Sequence, residues 1–121
     1  MWHRSLASTH EFPGGDGTRL RELLHGPKDH VAARYSIAHA RLAQGVTSRL
    51  HRLTSSEVYY ILAGRGRMEI DSDTRDVQIG DTIYIPPQAS QRITALGPDD
   101  LEFLCIVDPA WRPEDEKILA E

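Results

Sequence analysis

Gly45 to Gly64 reads GVTSRLHRLTSSEVYYILAG, and Gly80 to Thr94 reads GDTIYIPPQASQRIT. The first stretch holds two β-forming runs, Val46 to Leu53 and Glu57 to Leu62. Between them Thr54-Ser55-Ser56 turns the chain, since short hydroxyl side chains bond their own backbone and compete with a ladder. The second stretch holds Thr82 to Ile85. Pro86-Pro87 stop that run, because proline has no N–H to give to a sheet. Side chains alternate across a strand, so His51 and Leu53 share one face, and Glu57, Tyr59 and Ile61 share one face of the next strand.

Working outward, the same short-strand rhythm continues. Arg34 to Leu42 places Ser36, Ala38, Ala40 and Leu42 on one side and Tyr35, Ile37, His39 and Arg41 on the other. Small inward residues leave room for a ligand inside a β-barrel. Gln44-Gly45 turns, Gly64-Arg65-Gly66 bends, and Arg67 to Ile70 leads into a hairpin at Asp71-Ser72-Asp73. Gln91 to Ala95 and Leu101 to Val107 follow, split by Gly97-Pro98-Asp99-Asp100. Upstream, Thr18 to His25 reads as a strand ended by Gly26-Pro27. Residues 1–17 end in Pro13-Gly14-Gly15-Asp16-Gly17 and read as a flexible arm. Downstream, Asp108-Pro109 has the form of a helix N-cap with proline at the first helical position. A short C-terminal helix is therefore expected over Glu114 to Leu119. Many short strands at even spacing predict an all-β fold, a barrel or double-sheet roll, in one domain over residues 18–121.

The 121 residues carry a formal charge of −4 and a single cysteine, Cys105. A mildly acidic chain lacks the basic face that a nucleic-acid partner needs. No apolar run approaches the length of a membrane span, and the N-terminus lacks the apolar core of a secretory signal. One cysteine forms no internal disulfide, which agrees with a cytoplasmic location.

The two stretches resemble the signature motifs of the cupin superfamily of small β-barrels. In that family the first motif is G-x5-H-x-H-x3/4-E-x6-G and the second is G-x5-P-x-G-x2-H-x3-N. Here Gly45, His51, Glu57 and Gly64 match the first, while Leu53 stands at its second histidine. Gly80 and Pro86 match the second, while Gln88, Gln91 and Ala95 replace its later members. The resemblance covers roughly Ala32 to Val107, with motifs at 45–64 and 80–95. It implies a cupin-type barrel, that is, a double-stranded β-helix or jelly roll, and a homodimer.

The resemblance also implies that His51, Glu57 and Gln91 meet in one pocket as ligands of a divalent metal. Manganese, iron, zinc and nickel are the candidates. With one imidazole in place of three, harder ions such as manganese gain relative to softer ones. A competing reading is that His51 and Glu57 simply hydrogen-bond inside a pocket without metal. Substitute ligands are His39, His25 and Cys105. Parity places His39 on the face away from the pocket, His25 suits a subunit contact, and Cys105 in LEFLCIV reads as a buried small hydrophobe.

Glu57 and Tyr59 are the candidate catalytic residues. Glu57 would serve as a proton-transfer base if no metal binds, and the Tyr59 hydroxyl needs a partner if buried. Arg49, Arg52, Arg65 and Arg67 read chiefly as solvated surface, with anion binding as the alternative. Trp111 would cover the barrel end or fill a dimer contact. Two functions lead, ahead of a regulatory or storage role within a larger assembly. One is a metal-dependent enzyme acting on a small metabolite, of isomerase, lyase, cyclase, decarboxylase or dioxygenase type. The other is a non-catalytic small-molecule-binding module with a degenerate metal site. Fold alone does not choose between them.

Overall fold

The computed structural model describes residues 1–120. In chain order the strands are β1 (Phe12–Pro13), β2 (Arg19–His25), β3 (Ser36–Leu42), β4 (Leu50–Leu53), β5 (Ser56–Ala63), β6 (Arg65–Ile70), β7 (Asp73–Gln78), β8 (Thr82–Ile85), β9 (Gln91–Ala95), β10 (Leu101–Asp108) and β11 (Glu116–Ala120). A one-turn helix, α1 (Gly26–Asp29), follows β2. The strands form two antiparallel sheets, ordered β1-β2-β3-β10-β5-β8 and β11-β4-β9-β6-β7. The expected barrel thus takes the form of two facing sheets.

Alternation decides which side of each strand enters the space between the sheets. On β5, Glu57, Tyr59 and Ile61 are buried while Tyr60 and Leu62 lie open on the outer face. On β10, Leu101, Phe103, Cys105 and Val107 point inward at every second residue. Leu42, Ile61, Ile85, Ile93, Leu101 and Phe103 are the large apolar side chains fully removed from water. Burial of each contributes on the order of 2 kcal/mol. The rings of Tyr59 and Phe103 pack with centroids 4.4 Å apart and planes tilted by 38°. That tilt suits aromatic quadrupoles better than a face-to-face stack.

Both glycines of the first motif occupy left-handed backbone, Gly45 at φ +80° and Gly64 at φ +79°. At Gly64 a Cβ would also collide with the carbonyl of Asp100. The β5–β6 bend therefore requires a residue without a side chain.

Within Thr18 to His25, whose pattern allows a short strand or a helical turn, Arg19–His25 form the strand β2. Of the run Val46 to Leu53, β4 comprises Leu50–Leu53, and Thr47 makes an isolated bridge to Thr94. The C-terminal helix expected over Glu114 to Leu119 is not formed. Pro113–Asp115 make one 3-10 turn and Glu116–Ala120 then run as β11, with Glu116 opposite Leu53 and Ile118 opposite His51. A helix of six residues is marginal in water. The open edge of β4 offers these same residues a ladder of backbone bonds, and Ile118-Leu119 tolerate extended backbone. Within residues 1–17, expected as a flexible arm, Phe12 pairs with Leu20 and Pro13 with Arg19. Asp16 O accepts from Arg49 N at 2.6 Å, and Gly15 O accepts from the Arg49 guanidinium at 2.9 Å. No helix among the described residues is long and apolar enough to cross a membrane.

Candidate functional site

Between the sheets lies a cavity of about 200 Å³. That is smaller than a drug-sized pocket. Ser36, Ala38 and Ala40 of β3 form one wall, as the small-residue face of that strand predicts. Phe103, Cys105 and Val107 of β10 continue it. His51 and Leu53 of β4 face it from the other sheet. The segment Phe12–Asp16 and Trp111 complete the lining.

Glu57 and Tyr59 enter from β5. Gln91 lies opposite His51 in the β4–β9 ladder and is buried behind them, outside the cavity lining. The Tyr59 hydroxyl donates to Gln91 Oε1 at 2.9 Å, and Gln91 Nε2 donates to Glu57 Oε1 at 3.0 Å. The Gln91 amide thus joins the two sheets through a buried relay. Tyr59 gains the partner that a buried phenol needs. Glu57 Oε2 has no hydrogen-bond partner among the described residues, and Glu57 lines the cavity. Burial is the main force on Glu57, pushing its pKa up to about 8; the Gln91 hydrogen bond opposes this, and the charges of Asp16 and Glu116 add to it. A carboxyl in an apolar enclosure holds its proton because the charged form loses hydration. Burial likewise raises Tyr59 and Cys105 well above their ordinary values.

His51 is fixed from behind. Its Nδ1 lies 2.7 Å from the carbonyl oxygen of Arg49, an acceptor only, so Nδ1 carries hydrogen. In the neutral ring Nε2 then bears the lone pair. That atom stands 3.7 Å from Asp16 Oδ2. Asp16 is itself held through Oδ1 by Thr18 N at 3.1 Å and Thr18 Oγ1 at 2.6 Å. Glu116 reaches the same end from β11, with Oε2 accepting from Trp111 Nε1 at 3.0 Å.

The structure therefore brings His51, Glu57, Tyr59 and Gln91 together, and adds two carboxylates that sequence reading missed. Asp16 sits in a PGGDG turn, where no periodicity marks a side chain as inward. Glu116 follows a sequence that has the form of a helix start, which hides the strand parity that turns it inward. The substitute ligands lie elsewhere or behave otherwise. His39 pairs through Nε2 with Glu102 at 3.0 Å on the outer side of β3. His25 receives Lys28 N at Nδ1, capping α1, and meets the Trp111 carbonyl through Nε2. Cys105 lines the cavity as a buried thiol. None of the four arginines around the first motif is among the cavity-lining residues.

Two antiparallel sheets facing each other across a cavity, with the small residues of β3 on one wall and His51 and Leu53 of β4 on the other, define an all-β double-sheet protein. Residues 38–107 match the family described as Cupin domain, and the chain belongs to the cupin family. The uncharacterised protein MJ1618 of Methanocaldococcus jannaschii is 43% identical over 105 residues, 86% of this chain and 83% of that one. An oxalate-binding protein of Thermotoga maritima is 31% identical over 96 residues, 78% of each chain. Among solved structures, Bacillus subtilis oxalate decarboxylase superposes over 96% of this chain with a TM-score of 0.83 at 24% identity. This chain spans 31% of that enzyme's length. The nucleoside dehydratase Pac13 superposes over 99% of this chain and 92% of its own, with a TM-score of 0.79 at 18% identity. At those identities the two structures establish the fold alone.

Cupin relatives suggest a metal, and the donors here can be tested against one. His51 and Glu57 both line the cavity, with His51 Nε2 3.7 Å from Asp16 Oδ2. The Gln91 amide is engaged at both ends, by Tyr59 and by Glu57. Leu53 occupies the second-histidine position with hydrocarbon. Among the described residues no three His, Cys, Asp or Glu side chains form a group able to hold a metal ion. As arranged, the donor set does not fit the family's metal centre, which needs several ligands converging on one point.

Proposed function

We propose that this cupin binds a small metabolite between its sheets and moves protons on it with Glu57 and His51, without routing the chemistry through a metal. One observation carries the reading. Glu57 Oε2 and His51 Nε2 lack hydrogen-bond partners among the described residues, and both residues line the same enclosed cavity. Glu57, protonated near neutral pH with a pKa of about 8, is suited to give a proton to a ligand oxygen. His51 Nε2 is suited to take one from the neighbouring carbon. If the oxygen stays, the net change is an isomerisation. If it leaves as water, the change is an elimination. Tyr59 and Gln91 hold Glu57 in place and leave its second oxygen to the ligand. The test is a panel of small metabolites incubated with the protein in D2O and followed by proton NMR. Enzyme-dependent exchange at a carbon, lost in Glu57→Gln with the fold intact, supports the reading. A metabolite that binds without exchanging leaves a binding module and removes the catalytic claim.

A second reading rests on the 31% identity to an oxalate-binding protein. Here the cavity would take a small dicarboxylate together with a divalent cation, manganese, iron, zinc or nickel. His51, Glu57 and Gln91 would be the ligands and Gln91 would release Tyr59. The cation is needed because the carboxylates of Asp16 and Glu116 border the space a dianion would fill, and like charges close together repel. Oxalate binding only in the presence of Mn2+, with stoichiometric metal lost in His51→Ala, would favour this reading. A homodimer is likewise proposed, on the habit of small cupins, and sedimentation velocity tests it.

A further inference from the structure

The acidic side chains at the Glu57 end share one arrangement. Each is tied to the protein by one oxygen and keeps the other free. Asp16 is tied through Oδ1 to Thr18, Glu116 through Oε2 to Trp111, and Glu57 through Oε1 to Gln91. No protein donor within hydrogen-bond distance is recorded for Asp16 Oδ2, Glu116 Oε1 or Glu57 Oε2 among the described residues. Asp16 Oδ2 instead faces His51 Nε2 at 3.7 Å, beyond hydrogen-bond distance, on a residue 3% exposed. The basic side chain that lines the cavity, Lys28, gives its ammonium to Glu22 at 3.2 Å. One end of the cavity is therefore rich in acceptors, and the neutral donors that its lining offers, the Ser36 hydroxyl and the Cys105 thiol, carry no positive charge to balance them. The remaining wall, Ala38, Ala40, Phe103 and Val107, is apolar.

Unpaired acceptors carrying negative charge in an enclosed site favour a cation that brings its own N–H groups. An ammonium has three donors and no acceptor. A bare metal ion would find hydrocarbon on its far side where it needs further oxygen ligands. Resting on the reading of this cavity as a ligand site, we propose that its ligand is a small organic ammonium ion. The N–H groups go to Asp16 Oδ2, Glu116 Oε1 and His51 Nε2, and the carbon skeleton lies against Ala38, Ala40, Phe103 and Val107. Asp16 is then the specificity-determining residue, delivered by the Pro13–Gly17 turn. An anionic ligand without a counter-cation is selected against by the same groups.

The test is calorimetric titration of the full chain at pH 7 with n-butylamine, with n-butanol, with oxalate and with MnCl2 alone. The expected result is that the amine binds and the alcohol binds at least about tenfold more weakly. Asp16→Asn is expected to weaken amine binding by about tenfold or more, the size of one lost charge-assisted hydrogen bond. Asp99→Asn, on an exposed loop, should leave it unchanged. Near-UV circular dichroism of each variant reports whether the fold is kept. Asp16-dependent binding of Mn2+, or binding of oxalate, with no binding of the amine overturns the proposal. If the amine fails but a neutral metabolite from the D2O panel exchanges in a Glu57-dependent way, the ammonium assignment falls and the acid–base reading stands. If neither occurs, both fall.

Discussion

Gln91 Nε2 donates to Glu57 Oε1 at 3.0 Å across the gap between the two sheets. The residue at a position where cupins commonly carry a histidine here serves as a hydrogen-bond bridge, with its amide oxygen held by the Tyr59 hydroxyl at 2.9 Å. This bridge positions the acid, and much else follows from it.

Gln91→Leu should be strongly destabilising. It removes both hydrogen bonds and leaves the Tyr59 hydroxyl and Glu57 Oε1 without partners in a region closed to water. Each unsatisfied group costs roughly 1–3 kcal/mol, so a loss of about 2–5 kcal/mol is expected from urea unfolding. Tyr59→Phe alone should cost about 1 kcal/mol. A double-mutant cycle should show the two losses to be non-additive, since they share one amide. Additive losses would mean the relay is absent.

Glu57 makes stability depend on pH in a defined direction. Its folded pKa, about 8, is raised above the ordinary value of 4.5, chiefly by burial. Between those values the unfolded chain releases the proton while the folded chain keeps it. Stability from this group is therefore complete below about pH 4.5 and is lost as pH rises towards 8, by roughly 1.4 kcal/mol per pH unit at most. Glu57→Gln should flatten that slope between pH 5 and 8, and its stability relative to the parent chain should rise with pH. An unchanged slope would place the proton elsewhere.

The cavity is set by small residues on β3. Ala38→Leu adds three carbons into its wall. Ligand binding measured by calorimetry should disappear, while the fold survives with a change of about 1–3 kcal/mol from crowding. Retained affinity would show that the ligand sits elsewhere.

Gly64→Ala tests the bend that joins the sheets. At φ +79°, with the Asp100 carbonyl where a Cβ would lie, it should cost more than the roughly 1 kcal/mol of an unstrained glycine replacement. Thermal unfolding would report it as a clear fall in Tm.

Much of the fold could be read from period-two alternation. It places Ser36, Ala38 and Ala40 on the cavity side and His39 away from it, and it pairs Glu57 with Tyr59 and Ile61. The glycine and proline punctuation likewise marks strand ends. The C-terminus was misread because Asp108-Pro109 is a valid helix start in isolation. The competing ladder on β4 depends on residues about 60 positions upstream, which local propensity does not see. The site was half legible for a related reason. His51 and Glu57 carry motif spacing, whereas Asp16 and Glu116 gain their roles only when a glycine-rich turn and a final strand fold over the cavity mouth. The engagement of Gln91 by Tyr59 is a side-chain relation between strands, and spacing carries no record of it.

The acid–base account stands or falls on whether Glu57 holds a proton at neutral pH. Chain labelled with 13C at the glutamate carboxyl, compared with Glu57→Gln to assign the signal, gives the titration of this one group by NMR. The account predicts a Glu57 signal still in its protonated position at pH 6.5 and a midpoint near 8. A midpoint near the ordinary 4.5, with the carboxylate form complete by pH 6.5, would contradict it.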